Sequence, residues 1–347
     1  MTQHSEPVGV DRPGAKTAVI GAGAWGTALA LLLAGKGLPV SLWTWQEPHA
    51  ERMRQEQENQ EFLPGFPLPP SMQITSDLGV ALAEAEVVLL VVPSDVFRET
   101  LERARELIPP SASLVTATKG IEQGSLMLMN EVIVDVLGSQ ASARVGVLSG
   151  PSFAKEVASG VPTNIVIAAH DPELAERLQQ HFATGRFRVY SSDDPVGVEV
   201  GGALKNVIAI AAGACDGLGF GNNTRAALIT RGLAELSRLA VAKQGNPLTL
   251  AGLAGMGDLV LTCTGELSRN RTVGFELGRG RELSDVLGGL GHVAEGVKTA
   301  RSTYDLAQRL GVELPICFEV YRVLYEGKSP HRAVEDVLTR PLKRELD

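Results

Sequence analysis

Cysteine is scarce in this chain of 347 residues: Cys215, Cys263 and Cys317 are widely spaced, odd in number and free of any C-x-x-C pattern. That excludes a disulfide framework and a thiolate zinc site, fits a reducing compartment, and makes the cytoplasm the expected location. The six histidines (4, 49, 170, 181, 292 and 331) lack the paired spacing of a metal-binding helix, so no metal is expected. No apolar run reaches the roughly 18 residues of a membrane span. Residues 1–15 are polar, bear Pro and Gly, and lack an apolar stretch, which reads as a disordered extension and not a signal peptide. Basic blocks are missing too, and the formal net charge is -8. Nucleic acid and the membrane surface are therefore excluded as partners, and any phosphorylated ligand must be held by a few local cations.

The hydrophobic content of 44% is ample for two cores, and the length suggests two domains. The first half alternates strand and helix patterns. Glu86–Val92 is a near-continuous apolar run, as expected of a central parallel strand. Ser113–Thr118, Arg144–Leu148, Thr163–Ala169 and Phe187–Tyr190 read as further strands, with a helix over Pro172–Phe182. From about Pro195 the texture changes: Arg225–Gln244, Glu295–Leu310 and Pro315–Tyr325 read as helices and no convincing strand follows. The expected organisation is an extension over 1–15, a doubly wound α/β sheet domain over 16–193, and an all-α C-terminal domain over 194–347.

Near the N-terminus, Gly21-Ala-Gly-Ala-Trp-Gly26 lies between a β-prone run (Thr17–Ile20) and a strong helix former (Thr27–Ala34). Strand, G-x-G-x-x-G and helix in that order is the context of a dinucleotide fingerprint. Gly21 permits a tight turn, Gly23 lets backbone approach a pyrophosphate, and Gly26 lets the helix pack close to the strand. The usual companion is an acid about 20 residues on, at the end of the second strand. Val40–Trp43 reads as that strand, but Gln46 stands where an Asp would indicate NAD, and Glu47 comes one place late. No Arg stands there to meet a 2′-phosphate; Arg52 and Arg54 lie further on. NAD and NADP both stay open.

Lys205 is a lone cation in the run Gly201–Gly213. In a helix its neighbours three and four places away are Gly201, Gly202, Ile208 and Ala209, none of which offers a countercharge. A buried amine there loses solvation and its pKa falls toward the range of proton transfer. The plain alternative is a lysine that snorkels back to water along its apolar stem.

Three other stretches carry chemistry. Lys119 directly follows a buried-type strand, which sets its ammonium at the carboxyl edge of the sheet; otherwise it is a solvated loop lysine. Gly150-Pro-Ser152 reads as a turn that opens a helix and offers N–H groups and a hydroxyl to an anion, or simply an N-cap at Ser152. Asp258 sits among apolar neighbours and needs a partner there, for which Lys205 is the candidate. Ser268-Arg-Asn270 sets a hydroxyl, a planar fork of donors and an amide side by side, a set that suits a phosphate, or else a capped and solvated loop.

Taken together these segments closely resemble the bacterial NAD(P)-dependent glycerol-3-phosphate dehydrogenase family, from about Thr17 to Leu338. The strings that carry the resemblance are 21–30, 117–120, 149–156, 201–210, 254–264 and 268–271. The resemblance implies a Rossmann-like domain and hydride transfer between NAD or NADP and C2 of dihydroxyacetone phosphate, giving glycerol 3-phosphate for phospholipid synthesis. It implies Lys205 as proton donor and acceptor, with Lys119 and Asp258 also catalytic. It places Lys119, Gly150, Ser152, Lys205, Asp258, Ser268, Arg269 and Asn270 around the substrate. Ala24, Trp25, Trp45, Ala154, Val293 and Glu295 would join Gly21, Gly23 and Gly26 at the cofactor, with Lys119 and Arg269 close to it. Thr44 and Trp45 depart from the family, which usually has a small residue at the first position and often Arg or His at the second.

Two other readings use less of the chain. Another reductase of this two-domain design could act on a different 2-keto or 3-keto substrate, and a carboxylate substrate without phosphate would leave the Ser268–Arg271 cluster superfluous. A nucleotide-sensing module leaves Lys205, Asp258 and Lys119 without work. The helical half has apolar faces enough for a homodimer, although periodicity does not separate packing within a chain from packing between chains.

Overall fold

The computed structural model describes residues 14–289, 294–342 and 344–345. Ten strands form among them: β1 (Thr17–Ile20), β2 (Val40–Trp43), β3 (Glu58–Asn59), β4 (Leu63–Pro67), β5 (Gln73–Thr75), β6 (Val87–Leu90), β7 (Ser113–Thr116), β8 (Val145–Ser149), β9 (Thr163–Ala169) and β10 (Phe187–Ser192). Every residue of β1, β2, β6 and β8 is buried, because helices cover both faces of the sheet; this is why these strands read as unbroken apolar runs. Eight strands pair in the order β10-β9-β8-β7-β6-β1-β2-β5, while β3 and β4 make a separate antiparallel ribbon.

Outward from β1 the chain runs to β2 and β5 on one side and to β6, β7 and β8 on the other. The order therefore reverses between β1 and β6, which opens the ligand crevice of a doubly wound sheet at their carboxyl ends. The glycine turn sits there: a Cβ on Gly21 would lie 2.7 Å from the Val91 carbonyl oxygen. One feature departs from the all-parallel arrangement of such a sheet. β9 runs antiparallel to β8 and parallel to β10, so the last two strands form a reversed edge.

The last strand ends at Ser192 and a long helix begins at Pro195. Asp194 caps it by accepting from the Gly197 N–H at 2.9 Å, and Pro195 at the first position lacks the N–H that would go unused. This central helix, Pro195–Gly217, is largely apolar and buried around most of its circumference because other helices surround it: Asn222–Ala242, Asp258–Thr264, Arg269–Gly278 and Glu295–Leu310 all pack on it. It is the one helix among the described residues long and apolar enough to cross a membrane, and 89% of its apolar window is buried inside the protein. Against Arg269–Gly278 the backbones nearly touch, since a Cβ on Gly274 would lie 1.8 Å from the Ile210 carbonyl oxygen.

The helices over Pro172–Phe182, Glu295–Leu310 and Pro315–Tyr325 have the expected bounds. Of the expected strands, Thr163–Ala169 keeps its bounds, Arg144–Leu148 shifts to Val145–Ser149, Phe187–Tyr190 extends to Ser192, and Ser113–Thr118 ends at Thr116. Glu86–Val92 reduces to Val87–Leu90, because Pro93 and the crevice loop end the pairing. No strand follows Ser192 among the described residues.

Candidate active site

Three side chains from two halves of the chain meet at the carboxyl edge of the sheet. Lys119 stands three residues past the end of β7 and Lys205 lies midway along the central helix, which packs on β8. Asp258 opens the helix Asp258–Thr264, directly after a π-helical turn over Leu253–Gly257. Such turns insert an extra residue and commonly re-aim a functional side chain. Lys205 Nζ donates to Asp258 Oδ1, and Lys119 Nζ donates to Oδ2 at 2.8 Å. The partner that Lys205 lacks within its own helix thus arrives from another one.

Two more groups complete the cluster. Thr262 donates its hydroxyl hydrogen to the Asp258 carbonyl oxygen at 2.7 Å, so a lone pair of Oγ1 faces Lys205 Nζ at 3.0 Å. Lys119 also donates to the Gly150 carbonyl at 3.3 Å, and Ser152 Oγ donates to the same oxygen at 2.9 Å. Gly150 therefore presents its carbonyl to the cluster. Ser152 does not cap the following helix, Ala154–Ala158, whose N-cap is Phe153.

Electrostatics single out one group. Burial pushes the Lys205 ammonium down to about 7; Asp258 opposes the shift and the neighbouring positive charge of Lys119 adds to it. Lys205 accordingly stands ready to give or take a proton near neutrality. Cys263, next to Thr262, is pushed up to about 12 by burial and takes no part in such chemistry. Glu295, at the start of the helix Glu295–Leu310, is held above the ordinary carboxylate range by burial, against the pull of Arg269, Lys119 and Lys205.

Ser268 caps the helix Arg269–Gly278, accepting from the Arg271 N–H at 3.2 Å. The two arginines of this segment then diverge. Arg271 turns inward and binds Asp216 Oδ2 through Nε at 3.0 Å and Nη2 at 2.7 Å, beside Arg225 on Oδ1. Arg269 is exposed and has no ion-pair partner among the described residues, which leaves its guanidinium fork free for an anion. Asn270 donates to Asn206 Oδ1 at 3.0 Å and accepts from the Gly296 N–H at 3.0 Å, tying three helices together. Asn206 and Thr262 had no place in the sequence reading. The available signal was a polar residue inside an apolar helix, which needs a buried partner.

At the crevice, Gly21, Gly23, Ala24, Trp25 and Gly26 wrap from β1 into the helix Ala24–Gly35. A Cβ on Gly26 would lie 1.9 Å from the Gly21 carbonyl oxygen, while nothing lies within 4 Å of one on Gly23. The helix has no side-chain cap, and the buried Trp25 Nε1 has no partner. Uncapped N–H groups beside open space fit a pyrophosphate, so these residues suit a dinucleotide. Ala154 begins a helix that packs on Ala24–Gly35. Trp45 lies beyond β2 and is 70% exposed, leaving its ring face open to solvent. Glu47 is occupied by Ser76 and Arg54, whose hydrogen bonds hold its carboxyl below the usual range. Val293 lies outside the described residues. Two surface cavities, one lined by Pro315, Phe318 and Arg340 and one by Met127, Asn130 and His170, share none of these residues.

Comparison with known proteins covers both halves of the chain. The family model described as NAD-dependent glycerol-3-phosphate dehydrogenase N-terminus matches residues 16–175, and the C-terminus model of the same description matches 194–335. A glycerol-3-phosphate dehydrogenase of the NAD(P)+ type from Geobacter sulfurreducens is 55% identical over 327 residues, 94% of this chain and 98% of that one. One of the same name from Myxococcus xanthus is 53% identical over 328 residues, again 94% and 98%. Among solved structures, glycerol-3-phosphate dehydrogenase from Coxiella burnetii superposes with a TM-score of 0.90 at 42% identity, covering 95% of this chain and 100% of that one.

Proposed function

The chain belongs to the NAD-dependent glycerol-3-phosphate dehydrogenase family, and on that premise we propose that Lys205, Asp258 and Lys119 carry its acid–base chemistry. The protein is an NAD(P)-dependent glycerol-3-phosphate dehydrogenase, which interconverts dihydroxyacetone phosphate and glycerol 3-phosphate, the precursor of phospholipids. A dinucleotide held at the turn Gly21–Gly26 would supply or accept the hydride at C2 when bound. Protonated Lys205 donates to the C2 oxygen as negative charge builds on it, and neutral Lys205 takes the proton back in the reverse direction. Lys119 stabilises the same developing charge, and Asp258 holds both amines in place. Arg269, with Ser268 and Asn270, grips the phosphate, so binding energy remote from the reacting carbon fixes its position. Gly150 and Ser152 line the substrate side, and Glu295 and Ala154 the cofactor side.

One observation carries this reading: two lysines from different halves of the chain converge on one buried carboxylate, and burial brings one of them near neutrality. The same proposal divides the chain near residue 193 into a cofactor-binding half and a substrate-binding half. The three free cysteines suit a reducing environment, and we place the enzyme in the cytoplasm. Loss of NADPH or NADH absorbance on adding dihydroxyacetone phosphate to purified protein tests the function, and the ratio of the two rates gives the cofactor preference. Protein that binds either cofactor yet oxidises neither would overturn the assignment.

A further inference from the structure

Behind the crevice runs a buried polar chain that the reaction does not use. Thr44 follows β2, His49 lies on the helix Glu47–Glu56, and Asn59 belongs to β3; all three are buried, Asn59 at 0% exposure. Thr44 Oγ1 lies 2.9 Å from His49 Nδ1, and His49 Nε2 lies 3.1 Å from Asn59 Oδ1. Asn59 Nδ2 donates to the Ala22 carbonyl and to Thr27 Oγ1, each at 2.8 Å. Phe62 closes the arrangement: its N–H donates to Asn59 Oδ1 at 3.3 Å and its ring meets the His49 ring edge-on at 5.3 Å.

The direction of each bond follows from its ends. The Ala22 carbonyl only accepts, so the Asn59 amide nitrogen faces it and Oδ1 faces His49. His49 must then donate from Nε2, and in the neutral ring Nδ1 accepts from Thr44. Ala22 lies inside the glycine turn, and Thr27 lies in the first turn of the helix that follows. Asn59 thus holds both limbs of the turn. In a planar trans peptide the carbonyl of Ala22 and the N–H of Gly23 point in opposite directions. Drawing the carbonyl toward Asn59 therefore turns the Gly23 N–H away from it, and the backbone at Gly23 is open, since a Cβ there would meet nothing within 4 Å. Released, that peptide could turn its carbonyl oxygen toward an approaching pyrophosphate, oxygen against anion.

We propose that Asn59 and His49 are positioning residues for the dinucleotide: they fix the glycine turn relative to the end of β2 before the cofactor arrives. The inference rests on reading Gly21–Gly26 as the cofactor turn. The test is titration of NADH and NADPH into the full-length protein, followed by fluorescence, for wild type, Asn59→Ala, His49→Gln and His49→Asn. Steady-state KM values for cofactor and for dihydroxyacetone phosphate accompany it.

Asn59→Ala should raise the cofactor Kd and KM about tenfold or more while the KM for dihydroxyacetone phosphate moves less than about threefold. His49→Gln keeps a donor where Nε2 stood and should bind within about threefold of wild type. His49→Asn ends short of Asn59 and should weaken toward the Asn59→Ala value. A merely structural role would degrade both KM values together and would not separate Gln from Asn. Wild-type cofactor affinity in Asn59→Ala, or equal loss in both His49 variants, overturns the proposal. A wild-type protein that binds neither cofactor overturns the reading of the turn itself. If Asn59→Ala does not fold, the two His49 variants decide alone.

Discussion

Lys119 and Lys205 reach from different halves of the chain to opposite oxygens of one carboxylate, that of Asp258. Two positive charges share one negative one. Lys205 is the more deeply enclosed, its side chain 8% exposed against 14% for Lys119, so desolvation acts harder on it and brings it to about 7. In the proposed mechanism it is therefore Lys205, and not Lys119, that moves the proton.

The pH dependence follows in sign. Ketone reduction needs Lys205 protonated, so its kcat should fall as pH rises through about 7. Oxidation of glycerol 3-phosphate needs the neutral amine and should rise over the same interval. Initial rates at saturating substrates, taken in both directions from pH about 6 to about 9, check this. Lys205→Ala should lose both limbs along with a factor of about a hundred or more in kcat. Profiles without a limb near neutrality, or near-normal turnover in Lys205→Ala, would remove Lys205 from the proton transfer.

Two substitutions should move that limb in opposite directions. Asp258 holds the Lys205 pKa up, so Asp258→Asn should shift the limb to lower pH. Lys119 presses it down, so Lys119→Met should shift it to higher pH. Both variants should also lose kcat, because one disturbs the hold on the amines and the other removes charge stabilisation. Limbs that move the same way would show that the three groups do not act as one electrostatic unit.

Arg269→Ala tests the phosphate grip. Its exposed fork has no ion-pair partner among the described residues, so its loss should cost little stability and much substrate affinity. The KM for dihydroxyacetone phosphate should rise about tenfold to a hundredfold, the loss typical of a charge-assisted bidentate contact. Competition by inorganic phosphate should weaken in parallel. Reduction of unphosphorylated dihydroxyacetone should respond far less; an equal loss for both ketones would place Arg269 elsewhere than on the phosphate.

Much of this site could be read along the chain. Lys205 announces itself as a charge in an apolar helix, Asp258 as an acid among apolar neighbours, and the glycine turn by its flanks. The helix Glu295–Leu310 shows in its period, and Gly311, left-handed at its C-cap, marks where it stops. What stayed hidden depends on distance in sequence. Asn59 meets Ala22 across 37 positions, and Asn270 meets Asn206 across 64; no local pattern links such pairs. β5 and the β3–β4 ribbon are three, two and five residues long, too short for a periodic signal. The reversal at β9 is equally silent, because a strand buried between neighbours shows the same apolar run in either direction.

The crossing of the central helix with Arg269–Gly278 links packing to substrate binding. A Cβ on Gly274 would lie 1.8 Å from the Ile210 carbonyl oxygen, and one on Gly213 would lie 1.9 Å from that of Arg271. Both obstacles are backbone, so neither can swing aside. Gly274→Ala must therefore push the two helices apart, and Asn270, bonded to Asn206 across the crossing, moves with Arg269. Stability should fall by about 1–3 kcal/mol, the cost of overpacking a tight interface, although alanine is the better helix former. The KM for dihydroxyacetone phosphate should rise clearly more than that for the cofactor, whose glycine turn lies in the other half of the chain and which meets this half only near Arg269 and Glu295. Gly288→Ala is the control, since nothing lies within 4 Å of a Cβ there. Thermal melts and the two KM values read the outcome. A Gly274→Ala protein as stable as the control would refute the close crossing, and an equal rise in both KM values would refute the route from this crossing to the phosphate grip.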